Sequence, residues 1–395
     1  MSTPDGVLVV GASAAGLAAA EALRRKGYQG RLTVLGAERH LPYDRPPLSK
    51  QVLSGSWQSD KAQLRQPDAL SKLDAEFVLG DPAVGLDTAA RAVATASGRV
   101  LNAEAVVLAT GLRPRTLPGQ DGLAGVHVLR TLDDALALRA DLLSCSRVVV
   151  VGDGVLGAEI AATARGMGLA VTMAGPQEAP LAYQFGPLVA DLLADLHVTN
   201  GVELRLGSGV TGLSGKDGRV AGVCLENGEV LPADVVVVAF GAAPVTDWLS
   251  GSGLLCDNGI VCDSRCRAAD GIYAAGDVAR WHHEPFDALL RLENRTNATE
   301  QGVAVAGNIL GADQPYAPVP YFWTDQFDVK IHVHGTLSAD ADVTIVDGDP
   351  ADRRFVATFR QGGMVTGVLG WNMPKQARLR RQEVVAASAL VGGKP

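Results

Sequence analysis

Four consecutive apolar residues, Val7-Leu8-Val9-Val10, run into a glycine-bearing turn, Gly11-Ala12-Ser13-Ala14-Ala15-Gly16, and then into an alanine-rich stretch at 17–25. A second apolar run follows at 31–35. The same succession returns later: Val148-Val149-Val150-Val151, the turn Gly152-Asp153-Gly154-Val155-Leu156-Gly157, a run at 158–167, and an apolar stretch at 169–173. Runs that are apolar throughout, with no alternation, predict parallel strands covered on both faces. Strand, turn, helix and strand make one βαβ unit. The chain is therefore predicted to be α/β, with two Rossmann-like, doubly wound dinucleotide-binding domains.

The turns carry the chemistry. In each, the first glycine makes the turn, the middle position lets backbone approach a pyrophosphate, and the last lets helix and strand pack. The free N–H groups at the helix start then face the phosphates. In the first copy Ser13 stands at the middle position and is small enough to admit a phosphate. Two more segments extend the pattern: Val106-Val107-Leu108-Ala109-Thr110-Gly111, and Ile272-Tyr273-Ala274-Ala275-Gly276-Asp277 before a predicted helix. Asp277 suits two readings, an acceptor for a ribityl hydroxyl or a plain helix cap. On the first, a flavin dinucleotide is gripped at both ends.

Length and composition narrow the field. With 395 residues the chain is long enough for two or three domains. A net charge of −8, from 43 acidic against 35 basic residues, speaks against a nucleic-acid binder, whose footprint is a basic face. The five cysteines, Cys145, Cys224, Cys256, Cys262 and Cys266, form no Cys-x-x-Cys and no zinc-like quartet, so no metal site is expected. No apolar run approaches the roughly 18 residues of a membrane span. The N-terminus lacks a basic stretch followed by an apolar one, so a cytoplasmic protein is expected.

Further segments add to these: Leu41-Pro42-Tyr43-Asp44-Arg45-Pro46-Pro47-Leu48-Ser49-Lys50, Leu112-Arg113-Pro114-Arg115 directly after Ala109-Thr110-Gly111, Gly241-Ala242-Ala243-Pro244, Asn297-Ala298-Thr299-Glu300-Gln301-Gly302 and Pro320-Tyr321-Phe322-Trp323-Thr324-Asp325-Gln326. Together they resemble the FAD-dependent pyridine nucleotide-disulfide oxidoreductases, in particular the ferredoxin reductases that serve cytochrome P450s and ring dioxygenases. The resemblance covers nearly the whole chain.

It implies a glutathione-reductase-like fold: an FAD domain in two segments, 1–115 and 240–318, an NAD(P) domain at 116–239 inserted between them, and a smaller α+β C-terminal domain at 319–395. It implies FAD contacts at Gly11, Ser13, Ala14, Ala15, Gly16, Ala37, Glu38, Arg45, Lys50, Ala83, Ala109, Thr110, Gly111, Arg130, Gly276, Asp277, Glu293, Asn294 and Arg295. Pyridine-nucleotide contacts fall on Gly152, Gly154, Val155, Leu156, Gly157, Glu159 and Gly241. Disulfide reductases of the superfamily carry a cysteine pair after the first unit. The corresponding segment here, Tyr43-Asp44-Arg45-Pro46-Pro47-Leu48-Ser49-Lys50, has none. Electrons must then pass directly from flavin to acceptor.

The implied activity is hydride transfer from a nicotinamide to a flavin, followed by single-electron transfer to a [2Fe–2S] ferredoxin. Lys50 and Glu159 are the expected pair at the flavin–nicotinamide contact, and Trp323 the expected wall toward the acceptor. Two positions depart from the pattern. The acid expected at the end of the second strand of the NAD(P) unit, where it would bond the adenosine ribose, is replaced by Ala174. Gln177 remains as a donor within reach, and with no basic residue adjacent the expectation leans to NADH over NADPH. Arg295 stands where many members of the family that the chain resembles carry tryptophan or another apolar residue; it either brings positive charge to the flavin or points to solvent. Lys375, Arg378, Arg380 and Arg381 form the densest basic cluster, suited to docking an acidic ferredoxin or to being a solvated face. Two other functions stay open: an NAD(P)H oxidase or small-acceptor (quinone) reductase, and a redox-sensing FAD-binding protein with little turnover.

Overall fold

Both apolar repeats lie at the centre of parallel sheets. The computed structural model describes residues 3–392. In the first sheet the strand Gly6–Val10 runs parallel to Arg31–Gly36 on one side and Ala105–Leu108 on the other. Glu76–Leu79 and Ile272–Ala274 extend it outward. In the second, Arg147–Val151 lies between Ala170–Ala174 and Val235–Val238, with Val202–Arg205 and Val126–His127 at the edges, all parallel. Val148, Val149, Val150 and Val151 are buried, as expected of strands covered on both faces.

Two positions in the turns admit only glycine. Gly11 has φ +124° and Gly152 has φ +134°. A Cβ on Gly11 would run into the carbonyl of Ala109, and one on Gly152 into that of Ala239. The turns thus close against the ends of neighbouring strands, which brings each helix start to the carboxyl edge of its sheet. That edge is where open α/β sheets bind ligands.

The chain passes between the two parallel sheets twice, and the passages pair: Leu112–Pro114 lies antiparallel to Ala242–Pro244. A third, antiparallel sheet of five strands runs in the order Tyr321–Gln326, Val329–Gly335, Met364–Trp371, Arg354–Gln361, Asp342–Asp349. The helix Pro374–Gly392 packs on it. The α/β fold with a smaller α+β C-terminal unit is as expected. Cys262 and Cys266 are buried in the first core, and burial pushes the Cys266 thiol up to about 12. No helix among the described residues is long and apolar enough to cross a membrane.

The helix Ala14–Arg25 owes its close packing to small residues, and its partner on the sheet is the helix Arg295–Ile309. The contact closes at Gly302, where a Cβ would run into the carbonyl of Ala15 and lie 3.1 Å from the nitrogen of Ala19. Gly302→Val should therefore force the helices apart at a cost of about 1–3 kcal/mol. Its thermal midpoint should fall below that of the unaltered protein; an unchanged midpoint would mean the interface can give way freely.

Candidate functional site

A cavity of about 810 Å³ opens between the carboxyl edges of the two parallel sheets. Its wall brings together Ser13, Ala14, Ala15, Arg45, Lys50, Ala109, Thr110, Gly111, Arg130, Gly276, Asp277, Glu293, Asn294 and Arg295 with Gly154, Val155, Leu156, Glu159, Gly241 and Trp323. Gly11, Gly16, Gly152 and Gly157 lie behind this wall and shape the turns: a Cβ on Gly16 or Gly157 would meet the carbonyl of its own turn's first glycine. Ala37 and Glu38 follow the strand Arg31–Gly36, and Ala83 opens the small strand Ala83–Asp87. The chain before Ala83 is tied to that strand end, the Gly80 nitrogen donating to the Glu38 carbonyl at 2.9 Å.

At the first turn two guanidinium groups converge. Arg45 donates to the Ser13 hydroxyl and, at 2.8 Å, to Glu38 Oε1. The Tyr43 hydroxyl donates to the other Glu38 oxygen and accepts from the Leu132 nitrogen at 2.9 Å. Arg130 donates to Asp277 Oδ2 at 3.0 Å. The Nε atoms of Arg45 and Arg130 are buried with no hydrogen-bond partner among the described residues. Burial, then the Arg130 charge, hold the pKa of Arg45 below its ordinary value. Two cations, their unsatisfied donors and a helix start around one small-residue turn fit a pyrophosphate.

Farther along the wall lies a buried ion pair. Glu159, on the helix Val155–Gly166, is 6% exposed. Its Oε2 accepts from Lys50 Nζ and from the Ser49 hydroxyl, both at 2.6 Å, and its Oε1 accepts from the Thr324 hydroxyl at 2.9 Å. Lys50 sits in a π-helical turn, Leu48–Val52, begun by Pro46-Pro47, whose rings preset the backbone. The Thr163 hydroxyl ties that turn to the second unit through the Ser49 carbonyl at 2.7 Å. The expected pair is thus in direct contact. Ser49 and Thr324 belong to the Leu41-to-Lys50 and Pro320-to-Gln326 segments, and only the fold shows that they share a carboxylate.

Arg295 lies on the wall with its charge matched: Nε meets Asp44 Oδ1 at 2.5 Å and another nitrogen reaches the Thr299 hydroxyl. Trp323 faces the cavity and stacks on Tyr321 with ring centres 6.0 Å apart. Ala174 is fully buried among Val149, Val151 and Val236, so it faces no ligand and the ribose position does not lie there. Gln177 lines the cavity, its amide donating one hydrogen to Asp153 Oδ1 at 2.6 Å and accepting from the Tyr183 nitrogen at 2.7 Å, with a second hydrogen left to donate.

The family model for pyridine nucleotide-disulphide oxidoreductases matches residues 5–302, and the Reductase C-terminal model matches 321–390. The chain belongs to the pyridine nucleotide-disulphide oxidoreductase family. It is 35% identical to rhodocoxin reductase of Rhodococcus erythropolis over 95% of this chain and 88% of that one. It is 34% identical to putidaredoxin reductase of Pseudomonas putida, covering 97% and 92%. Among solved structures, the covalent putidaredoxin reductase–putidaredoxin complex superposes with a TM-score of 0.92 at 32% identity, over 99% of this chain and 96% of that one. The protein is an oxidoreductase that uses FAD and a nicotinamide cofactor.

Removing Lys50 would strand the Glu159 carboxylate away from water. Breaking such a pair from one side costs about 3–5 kcal/mol. Lys50→Met should lower the thermal midpoint sharply, and Lys50→Met with Glu159→Gln should recover part of the loss because the buried charge leaves with its partner. Equal midpoints for the single and double variants would contradict this arrangement.

Proposed function

We propose that the protein is an NAD(P)H:ferredoxin reductase that passes electrons from a nicotinamide through FAD to a [2Fe–2S] ferredoxin serving a cytochrome P450 or ring dioxygenase. One observation carries the reading: both glycine turns and the Lys50–Glu159 pair line a single cavity. No cysteine lines that cavity among the described residues, in keeping with direct transfer and no dithiol relay. Further relatives at 35–36% identity are named as ferredoxin reductases, one of them of a benzene 1,2-dioxygenase system, which supports the same acceptor class. The reading keeps the domain limits set from the sequence, 1–115 with 240–318, 116–239 and 319–395. It also keeps a cytoplasmic location, where the five free thiols would stay reduced.

FAD supplies hydride acceptance and stepwise electron release when bound. The chain's own residues hold and orient. The helix start at Ala14, Arg45 and Arg130 grip the pyrophosphate, and Asp277, steadied by Arg130, accepts from the sugar-alcohol chain. Gly154, Val155 and Leu156 receive the pyridine nucleotide. Lys50, fixed by Glu159, presents an ammonium group at the wall between the two cofactors, and neither residue needs to move a proton. Trp323 shields the acceptor side.

For docking, Lys375, Arg378 and Arg381 share one face of the C-terminal helix and line a second cavity of about 580 Å³, which has Leu292 and Asn294 in common with the first. Arg380 is instead held by Glu383 at 2.8 Å. An acidic ferredoxin suits that face. Substituting Lys375→Glu with Arg378→Glu should raise KM for ferredoxin about tenfold or more at low salt and leave the NADH-driven reduction of ferricyanide unchanged. A ferredoxin KM that does not move would place docking elsewhere.

Two substitutions separate the cofactor seats. Asp277→Ala should purify with much less flavin, read as visible absorbance per protein. Gly154→Asp should keep its flavin and lose reduction by pyridine nucleotide, since a carboxylate would stand where the pyrophosphate lies. Loss of flavin in the second variant would mean that the seats are exchanged. Rapid reduction of oxygen or quinone with none of ferredoxin would favour the oxidase reading instead.

A further inference from the structure

The second glycine turn differs from the first in carrying an aspartate, Asp153, between its first two glycines. In a dinucleotide unit the adenosine ribose is read by an acid at the end of the second strand. Here that strand ends on buried Ala174, and the next residue toward the cavity is Gly175. The Gly175 backbone lies outside the left-handed region, so the backbone itself would accept a side chain. What forbids one is Asp153: a Cβ on Gly175 would run into its carboxylate and lie 2.9 Å from its Cβ. The carboxylate fills the space in which a strand-end acid would begin.

We infer that Asp153 takes over that task, bonding the ribose hydroxyls of NADH and repelling a 2′-phosphate. This rests on the proposal that the second turn seats the pyridine nucleotide. Asp153 lies on the cavity wall beside Gly154, Pro176 and Gln177. Its orientation is fixed: Oδ2 accepts from the Gln177 nitrogen at 2.9 Å and Oδ1 from the Gln177 side-chain amide at 2.6 Å. Each oxygen keeps a further lone pair for a hydroxyl. The surroundings do not offset the negative charge. Arg205, paired in register with Ala174, is committed to Glu203 and to Glu229, the latter at 3.1 Å. Glu178, on the same loop, adds a second carboxylate near Gly207. Asp153 is therefore a specificity-determining residue that the strand-end pattern does not reveal.

The test compares binding of 5′-ADP and 2′,5′-ADP to the flavin-loaded protein by calorimetry, alongside kcat/KM for NADH and NADPH. The unaltered protein should bind 5′-ADP about tenfold or more tightly than 2′,5′-ADP. Asp153→Asn keeps the shape and removes the charge, and should erase most of that preference, about a tenfold change in the ratio. Asp153→Gly with Gly175→Glu returns a carboxylate from the strand end and should restore it. An equal loss of both nucleotides in Asp153→Asn would reduce Asp153 to a support for the Gln177 loop and overturn the inference, with the seat itself intact. A preference for 2′,5′-ADP in the unaltered protein would overturn it too. Failure of both nucleotides to bind would remove the seat, and the inference with it.

Discussion

Glu159 carries its charge out of water, and the arrangement of the molecule around the cavity follows from satisfying it. Taking a carboxylate and an ammonium group from solvent costs several kcal/mol per ion unless every lone pair finds a partner in good geometry. The donors come from two places: Lys50 and Ser49 from the π-helical turn after the first unit, and Thr324 from the first strand of the antiparallel sheet. Glu159 itself stands on the helix of the second unit. A shift of any one of these parts would leave a buried charge short of partners. The same constraint that holds the parts together therefore holds the two glycine turns at a fixed separation across the cavity.

Around that fixed point the electrostatics divide. At the first turn Arg45 and Arg130 crowd positive charge toward the helix start, with Glu38 paired to Arg45 and Asp277 to Arg130. At the second turn the carboxylates of Asp153 and Glu178 have no cation paired with them among the described residues, and the neighbouring Arg205 is bound to Glu203 and Glu229. On the proposed reading, one seat takes a pyrophosphate between guanidinium groups, and the other presents backbone to a pyrophosphate and a carboxylate to a ribose. The asymmetry fits one resident cofactor and one that comes and goes.

Much of this was legible beforehand, because it rests on local pattern. The continuous valine runs, the glycines at the turns and the Leu41-to-Lys50 segment are contiguous in sequence, and each encodes its own strand, turn or loop. The juxtaposition of Lys50 with Glu159 was also anticipated, from resemblance. What stayed hidden depends on residues far apart in sequence. Thr324 meets Glu159 across 165 positions, and Asp44 meets Arg295 across 251. The ribose position was misjudged for a related reason. Counting along the strand pointed to Ala174, whereas the pleat buries Ala174 and turns Gly175 toward a side chain from another loop.

On the proposed function, a flavin and a pyridine nucleotide meet in this cavity and discharge to an iron–sulfur protein. Anaerobic addition of NADH to the purified protein, followed by excess oxidised [2Fe–2S] ferredoxin, tests this directly through the visible spectrum. The flavin absorbance should bleach on the first addition and return on the second as the ferredoxin is reduced. A protein that purifies without flavin, or a bound flavin that NADH leaves oxidised, would contradict it.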